Sequence, residues 1–153
     1  MKLLIQRVTS ASVEVEKKVV GQINNGILVF LGVGKDDSEA EVDYLVEKLI
    51  NLRVFAEDDP STGSGQVKHF EKSLLEVNGE VLVVSQFTLY GSCEKGRRPD
   101  FFNSAGPEKA KELYDQFIGK LKSKNIKTES GEFGAYMQVK LVNDGPSTFL
   151  LEK

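Results

Sequence analysis

"GILVFLGVG", residues 26–34, carries five apolar side chains in a row, Ile27 to Leu31, between glycines. A strand with one wet face alternates apolar and polar residues, because successive side chains point to opposite faces. No such alternation is present here, so the run reads as a strand buried on both faces. A sheet built around it must be covered on both sides, and the flanking sequence shows what covers it.

Upstream, residues 2–15 read as a long strand, with Val13 and Val15 alternating against Glu14 and Glu16. "EKKVVG" turns into a second strand ending near Ile23. Downstream, Ser38 and Glu41 have capping-box spacing, and Val42, Leu45, Val46, Leu49 and Ile50 repeat at helical intervals. "EDDPSTGSGQ" (57–66) reads as a loop. Strands are expected at 73–77 and 80–90, joined by Asn78-Gly79, which has the chemistry of a two-residue hairpin. A second helix is expected over 107–123, opened by Pro107 and striped by Ala110, Leu113, Tyr114, Phe117, Ile118 and Leu121. Two last strands, 134–143 and 147–152, flank Asn143-Asp144-Gly145-Pro146. Phe149, Leu150 and Leu151 imply that the final strand is held in the sheet. The expectation is an α+β fold, a mostly antiparallel barrel-like sheet covered by two helices, in a single domain over 1–153.

Composition narrows the function. The 153 residues are 40% hydrophobic and 28% charged, an ordinary globular balance. Nowhere do about 18 apolar residues run together to span a bilayer, and the N-terminus lacks a signal peptide's apolar core, so the expected address is cytoplasmic. Cys93 is the single cysteine, which excludes an internal disulfide and a thiolate-rich metal site; no motif calls for a cofactor or metal. A net charge of −3 argues against coating nucleic acid without specificity. The charge is uneven, however: residues 36–59 are acidic, while "EKGRR" (94–98) and 107–127, with six lysines against three acids, are basic. The basic segments read either as solvated surface or as a face for an RNA backbone.

Catalytic patterns are few. His69 is the only histidine, and no Walker loop, HExxH or paired-glycine fingerprint is present. Two places stand out. In "VLVVSQFTLYGS" (81–92) an apolar strand turns polar at Ser85, Gln86 and Thr88, either as its wet end or as a pocket wall. Arg7 falls in phase with Leu3, Ile5, Ala11, Val13 and Val15, so an unbroken strand would turn it toward the apolar side, where a guanidinium needs acceptors. A bulge near "TSAS", or a paired structural arginine, is the other reading. A third oddity is Gly145-Pro146, since proline pushes the residue before it away from the backbone that an Asp-Gly hairpin uses.

Together these residues resemble the D-aminoacyl-tRNA deacylase family, formerly described as D-tyrosyl-tRNA deacylases. The likeness runs from "MKLLIQRVTSASVEV" through "GILVFLGVGKDD", "SQFTLYG" and "KGRRPDF" to "GEFGAYMQVKLVNDGPSTF". The family's two motifs are Ser-Gln-Phe-Thr, here Ser85 to Thr88, and Asn-X-Gly-Pro-X-Thr, here Asn143 to Thr148. Ser147 stands where the family usually has valine. The resemblance implies a homodimeric esterase acting on mischarged tRNA. It implies a cis Gly145-Pro146 bond whose loop enters the partner's active site and excludes the side chain of an L-amino acid. In that picture Ser85, Gln86, Phe87 and Thr88 line the pocket, and Arg7, Met137, Asn143 and Thr148 support it. The terminal adenosine's 2′-hydroxyl assists in place of a side-chain nucleophile, and Lys95, Arg97 and Arg98, chosen for their charge, meet the tRNA backbone. The rival readings are a non-catalytic β-barrel that binds RNA and an esterase for small metabolites.

Overall fold

The computed structural model describes residues 1–57 and 68–153. Its elements in chain order are β1 (Lys2–Val15), β2 (Lys18–Ile23), β3 (Gly26–Gly32), α1 (Glu39–Asn51), β4 (Arg53–Glu57), β5 (Lys68–Ser73), β6 (Glu80–Ser85), α2 (Pro107–Ser123), β7 (Thr128–Ser130) and β8 (Gln138–Glu152).

β3 is buried on both faces because two cores share it. Its odd-numbered residues Ile27, Val29 and Leu31 join Val81 and Val83 of β6 and the helix stripes in one cluster. Its even-numbered Leu28 joins Leu82, Val84, Val8, Ala11, Val13 and Ile23 in a second. Both clusters hold side chains with essentially no water contact. Burying each such Leu, Ile or Val contributes about 1.5–3 kcal/mol. The helix stripes are those the periodicity predicts: Val42, Leu45, Val46, Leu49 and Ile50 on α1, and Leu113, Tyr114, Phe117 and Leu121 on α2. Ser38 and Glu41 cap α1 reciprocally, with the Ser38 N–H donating to Glu41 Oε2 at 2.7 Å. That bonding holds the Glu41 carboxyl below its ordinary pKa.

The second core exists because the sheet curls. β1 is its spine: one edge pairs with β3 over Lys2–Val8 and then with β2 over Ala11–Val15, while the other edge pairs with β8. Leu3 and Ile5 therefore pack in the helix-side cluster, and Ala11 and Val13, of the same parity, pack in the barrel-side one. β2 then meets the far edge. A Cβ on Gly21 would stand 2.7 Å from the Ser130 carbonyl oxygen in β7, so only glycine permits that approach. The β1 pairings are antiparallel, but β3–β6 and β6–β7 are parallel, so the barrel is mixed.

The acidic and basic segments largely answer one another. Lys120 pairs with Glu39 at 2.8 Å and with Asp43, and Lys124 pairs with Glu47, joining α2 to α1. Exposed pairs of this kind are worth about 0–1 kcal/mol each, but they remove much of the helix as an RNA-facing surface.

Several expected boundaries move. Residues 74–78 form a helical turn instead of a strand: the Ser73 N–H donates to Glu76 Oε2 at 2.7 Å, the Gly79 N–H closes on Leu74 O at 3.0 Å, and Asn78 has a φ of 49°. Ser73-x-x-Glu76 is thus a capping box, and Asn78-Gly79 ends a turn and joins no hairpin. β5 pairs with β4 instead. The strand expected over 80–90 stops at Ser85, because its ladder with β3 ends at Leu31 and its ladder with β7 covers only Val81–Val83. A 3-10 turn, Phe87–Tyr90, follows. The strand expected at 134–143 begins at Gln138 and continues to Glu152 as one element. β4, β5 and β7 have no counterpart in the sequence-based expectation, and most of the loop read at 57–66 lies outside the described residues. His69 falls within β5.

Candidate active site

Where β6 runs out of partners, the chain bends into a cleft. The Gln86 N–H still reaches Leu31 O at 2.8 Å, but its backbone (φ −145°, ψ 77°) leaves the strand. A strand running through 80–90 would put Ser85 and Phe87 on one face and Gln86 and Thr88 on the other; instead Ser85, Gln86 and Phe87 all line one cleft of about 610 Å³. Phe101, Phe133, Tyr136 and Met137 form much of the rest of its wall. Thr88 lies just beyond, exposed, its hydroxyl accepting a hydrogen bond from the Gln86 side-chain amide.

Two features of this cleft bear on chemistry. Among the described residues, the backbone N–H groups of Phe87 and Thr88 have no acceptor, as expected at the open start of a helical turn. The lining also contains no Asp, Glu, His, Cys, Lys or Arg; its titratable groups are Tyr114 and Tyr136. Tyr114 donates its hydroxyl to Val83 O at 2.9 Å, and burial pushes its pKa up to about 12, so it stays neutral. Among the described residues the wall offers no carboxylate, imidazole, thiol or amine as a general base.

The other motif forms a separate group. Gln6 of β1 pairs with Thr148, and Val8 pairs with Asn143, so Arg7 alone faces four residues of β8, 144–147. That excess leaves β8 as a loop, and Gly145-Pro146 at its tip is cis and exposed. Arg7 is buried and paired, and the register of β1 shifts beside "TSAS", between Val8 and Ser10, as well as opposite Arg7. Its Nε donates to Asp144 O at 2.9 Å and lies 2.9 Å from Asp144 Oδ2, while Nη1 donates to Val54 O at 2.5 Å. Asn143 closes the loop's base, its Nδ2 donating to Arg7 O at 3.1 Å and Ser147 O at 3.3 Å. Thr148 Oγ1 accepts from the Gln6 amide at 3.1 Å. A Cβ on Gly145 would fall 2.2 Å from Asn143 Oδ1, so any larger residue there must displace the Asn143 side chain that closes the loop's base.

Neither Arg7 nor any of residues 143–148 lines the cleft of the same chain. The fold thus brings Ser85, Gln86, Phe87 and Met137 together, and Arg7, Asn143, Gly145, Pro146 and Thr148 together, as two sets. Lys95, Arg97 and Arg98 form a third, exposed at the tip of a loop closed by Ser92 and Asp100. The aromatic part of the cleft wall was missed from sequence. Tyr136 sits in a segment without periodicity, and Phe101 and Phe133 become neighbours of Ser85 only through the fold.

The comparisons with known proteins agree along the whole length. The family model described as D-Tyr-tRNA(Tyr) deacylase matches residues 4–152. The D-aminoacyl-tRNA deacylase of Thermosipho africanus is 57% identical, covering 99% of this chain and 97% of that one. The one from Rippkaea orientalis is 50% identical over 100% of both. Among solved structures, the c-Myc DNA Unwinding Element Binding Protein superposes with a TM-score of 0.89 at 42% identity, covering 100% of this chain and 99% of that one. A probable eukaryotic D-amino acid tRNA deacylase shares the fold, with a TM-score of 0.82 at 19% identity over 98% and 97% of the two chains. By these likenesses the chain is a hydrolase that acts on ester bonds. The chain belongs to the D-Tyr-tRNA(Tyr) deacylase family.

Proposed function

We propose that this protein hydrolyses the ester of D-aminoacyl-tRNA and spares the L-ester. The observation that carries the chemistry is the cleft wall, which has unpaired N–H groups at Phe87 and Thr88 and no side chain able to act as base. Such donors stabilise the oxyanion as it develops on the ester carbonyl. Water attacks that carbonyl, and its proton passes through the terminal adenosine's 2′-hydroxyl to the departing 3′-oxygen. The products are a free D-amino acid and tRNA with its 3′-hydroxyl restored. Ser85 and Gln86 hold the reacting end, and Met137 shapes the wall. The Thr88 hydroxyl has no base to activate it, so Thr88→Ala should keep appreciable activity; a loss as complete as removal of the whole cleft would make it the nucleophile.

Chirality is read by Gly145-Pro146. The loop lies away from its own cleft with its tip exposed, which favours a homodimer in which each copy presents the loop to the other's cleft. There the loop admits the α-hydrogen of a D-residue and collides with the side chain of an L-residue. Glycyl-tRNA has no side chain to reject and is cleaved as well. Lys95, Arg97 and Arg98 position the tRNA backbone, and the reaction takes place in the cytoplasm. No described helix is long and apolar enough to cross a membrane.

Side-by-side hydrolysis of D-tyrosyl-tRNA and L-tyrosyl-tRNA tests the proposal. Loss of the D-ester with the L-ester intact is expected, each tenfold preference being about 1.4 kcal/mol. Equal rates would remove the gate; binding of tRNA without cleavage of either ester would leave a binding module.

A further inference from the structure

The loop beside the cleft carries an aromatic ring that the ester chemistry leaves unused. Phe101 turns inward, packing edge-to-face on Phe87 with centroids 4.9 Å apart and lining the cleft. Its neighbour Phe102 turns outward and is 79% exposed. The backbone that displays it is pinned: the Lys35 N–H donates to Asn103 O at 3.0 Å, the Ala105 N–H to Val33 O at 2.9 Å and the Ser104 N–H to Phe101 O at 3.0 Å.

A cation packs on the face of this ring. The Lys35 ammonium stands 4.3 Å from the ring centroid, a cation–π pair that covers part of the ring and leaves most of it to solvent. Lys95, Arg97 and Arg98, on the preceding loop closed by Ser92 and Asp100, have no ion pair among the described residues. An exposed ring on a fixed backbone with a lysine ammonium at its face suits an unpaired nucleotide, whose base stacks and whose phosphate is neutralised.

We infer that Phe102, supported by Lys35, is the stacking platform for an unpaired base of the RNA substrate, next to the nucleotide that carries the ester. The inference rests on the deacylase reading and extends it to a binding residue outside the cleft. Phe102 adjoins the cleft through Phe101, so an RNA end whose last nucleotide enters the cleft passes over the ring. The competing occupant is a second copy of the chain.

The test compares Phe102→Ala, Phe102→Trp and the unaltered protein on D-tyrosyl-tRNA and on D-tyrosyl-adenosine, which lacks the preceding nucleotides. Sedimentation of each variant is measured alongside. Truncating a ring this exposed removes no core packing. Phe102→Ala should raise KM for the tRNA about tenfold with kcat little changed, because one stacked base contributes on that scale. It should leave D-tyrosyl-adenosine hydrolysis unaltered, and Phe102→Trp should restore the tRNA value. An equal effect on both substrates, no effect on either, or a change in oligomeric state with Phe102→Ala would each overturn the platform. Cleavage of D-tyrosyl-tRNA by the unaltered protein separates that failure from failure of the deacylase reading, which would take both down.

Discussion

Arg7 ties the Gly145-Pro146 loop to the body of the protein, and replacing it with methionine isolates that tie. Methionine keeps much of the apolar stem and removes only the guanidinium. Two main-chain acceptors lose their donor: Val54 O, on a residue with 2% exposure, and Asp144 O, in the exposed loop. A hydrogen bond from a charged donor contributes about 1.5–3 kcal/mol. The Val54 carbonyl is deeply placed and bears its desolvation in full, whereas water can replace the bond at Asp144. The ion pair with the Asp144 carboxylate adds about 1 kcal/mol at most, since that side chain is 52% exposed. The sum is about 3 kcal/mol, which for a chain of this size lowers the melting temperature by about 6–12 °C. Circular-dichroism melting of Arg7→Met, Arg7→Lys and Asp144→Asn measures it. Lysine can serve one of the two carbonyls and should lose about half as much. Asp144→Asn keeps the carbonyl and should lose about 1 kcal/mol or less. The reasoning fails if Arg7→Met melts with the unaltered protein, or if Asp144→Asn costs as much as Arg7→Met. In the hydrolysis assay, Arg7→Met should erode the preference for the D-ester, because the loop that reads chirality has lost its anchor.

Other consequences are as direct. Ser147 is 2% exposed and its hydroxyl has no partner, so Ser147→Val should raise stability by about 1 kcal/mol or more, seen as a higher melting temperature; a lower one would mean the hydroxyl is satisfied. Gly145→Ala places a Cβ 2.2 Å from Asn143 Oδ1, so it should displace the loop and slow cleavage of the D-ester; unchanged rate and chirality would place the gate elsewhere. Glu80 is held below its ordinary pKa of 4.5, first by Lys127 and also by the Asn24 N–H. A carboxylate lowered on folding contributes stability that is fully present above its unfolded pKa and lost as pH falls through the folded value. Glu80→Gln should therefore melt below the unaltered protein at neutral pH, with the gap closing under acid titration below about pH 4.5; a gap independent of pH would refute the assignment.

Much of this architecture is written locally. The helix stripes and the Ser38–Glu41 cap recur at fixed spacing, and the unbroken run Ile27–Leu31 requires burial on both faces wherever it sits. Arg7 announced its need for acceptors through its phase in β1, and the two short motifs fall in the two groups of residues that the fold assembles. Even the turn at 74–78 has a local signal in Ser73-x-x-Glu76, which the hairpin expected at Asn78-Gly79 left out of account.

The rest depends on partners far along the chain. β6 ends at Ser85 because β3 and β7 stop pairing with it, and that termination, not alternation, puts Ser85, Gln86 and Phe87 on one wall. The loop at 144–147 exists because Gln6 and Val8 fix the register of β8 on either side of Arg7, 137 residues away from Asp144. Periodicity is a property of neighbouring residues, so sequence displays it. Strand ends and bulges are set by which backbone groups still find a partner, and only the assembled sheet decides that.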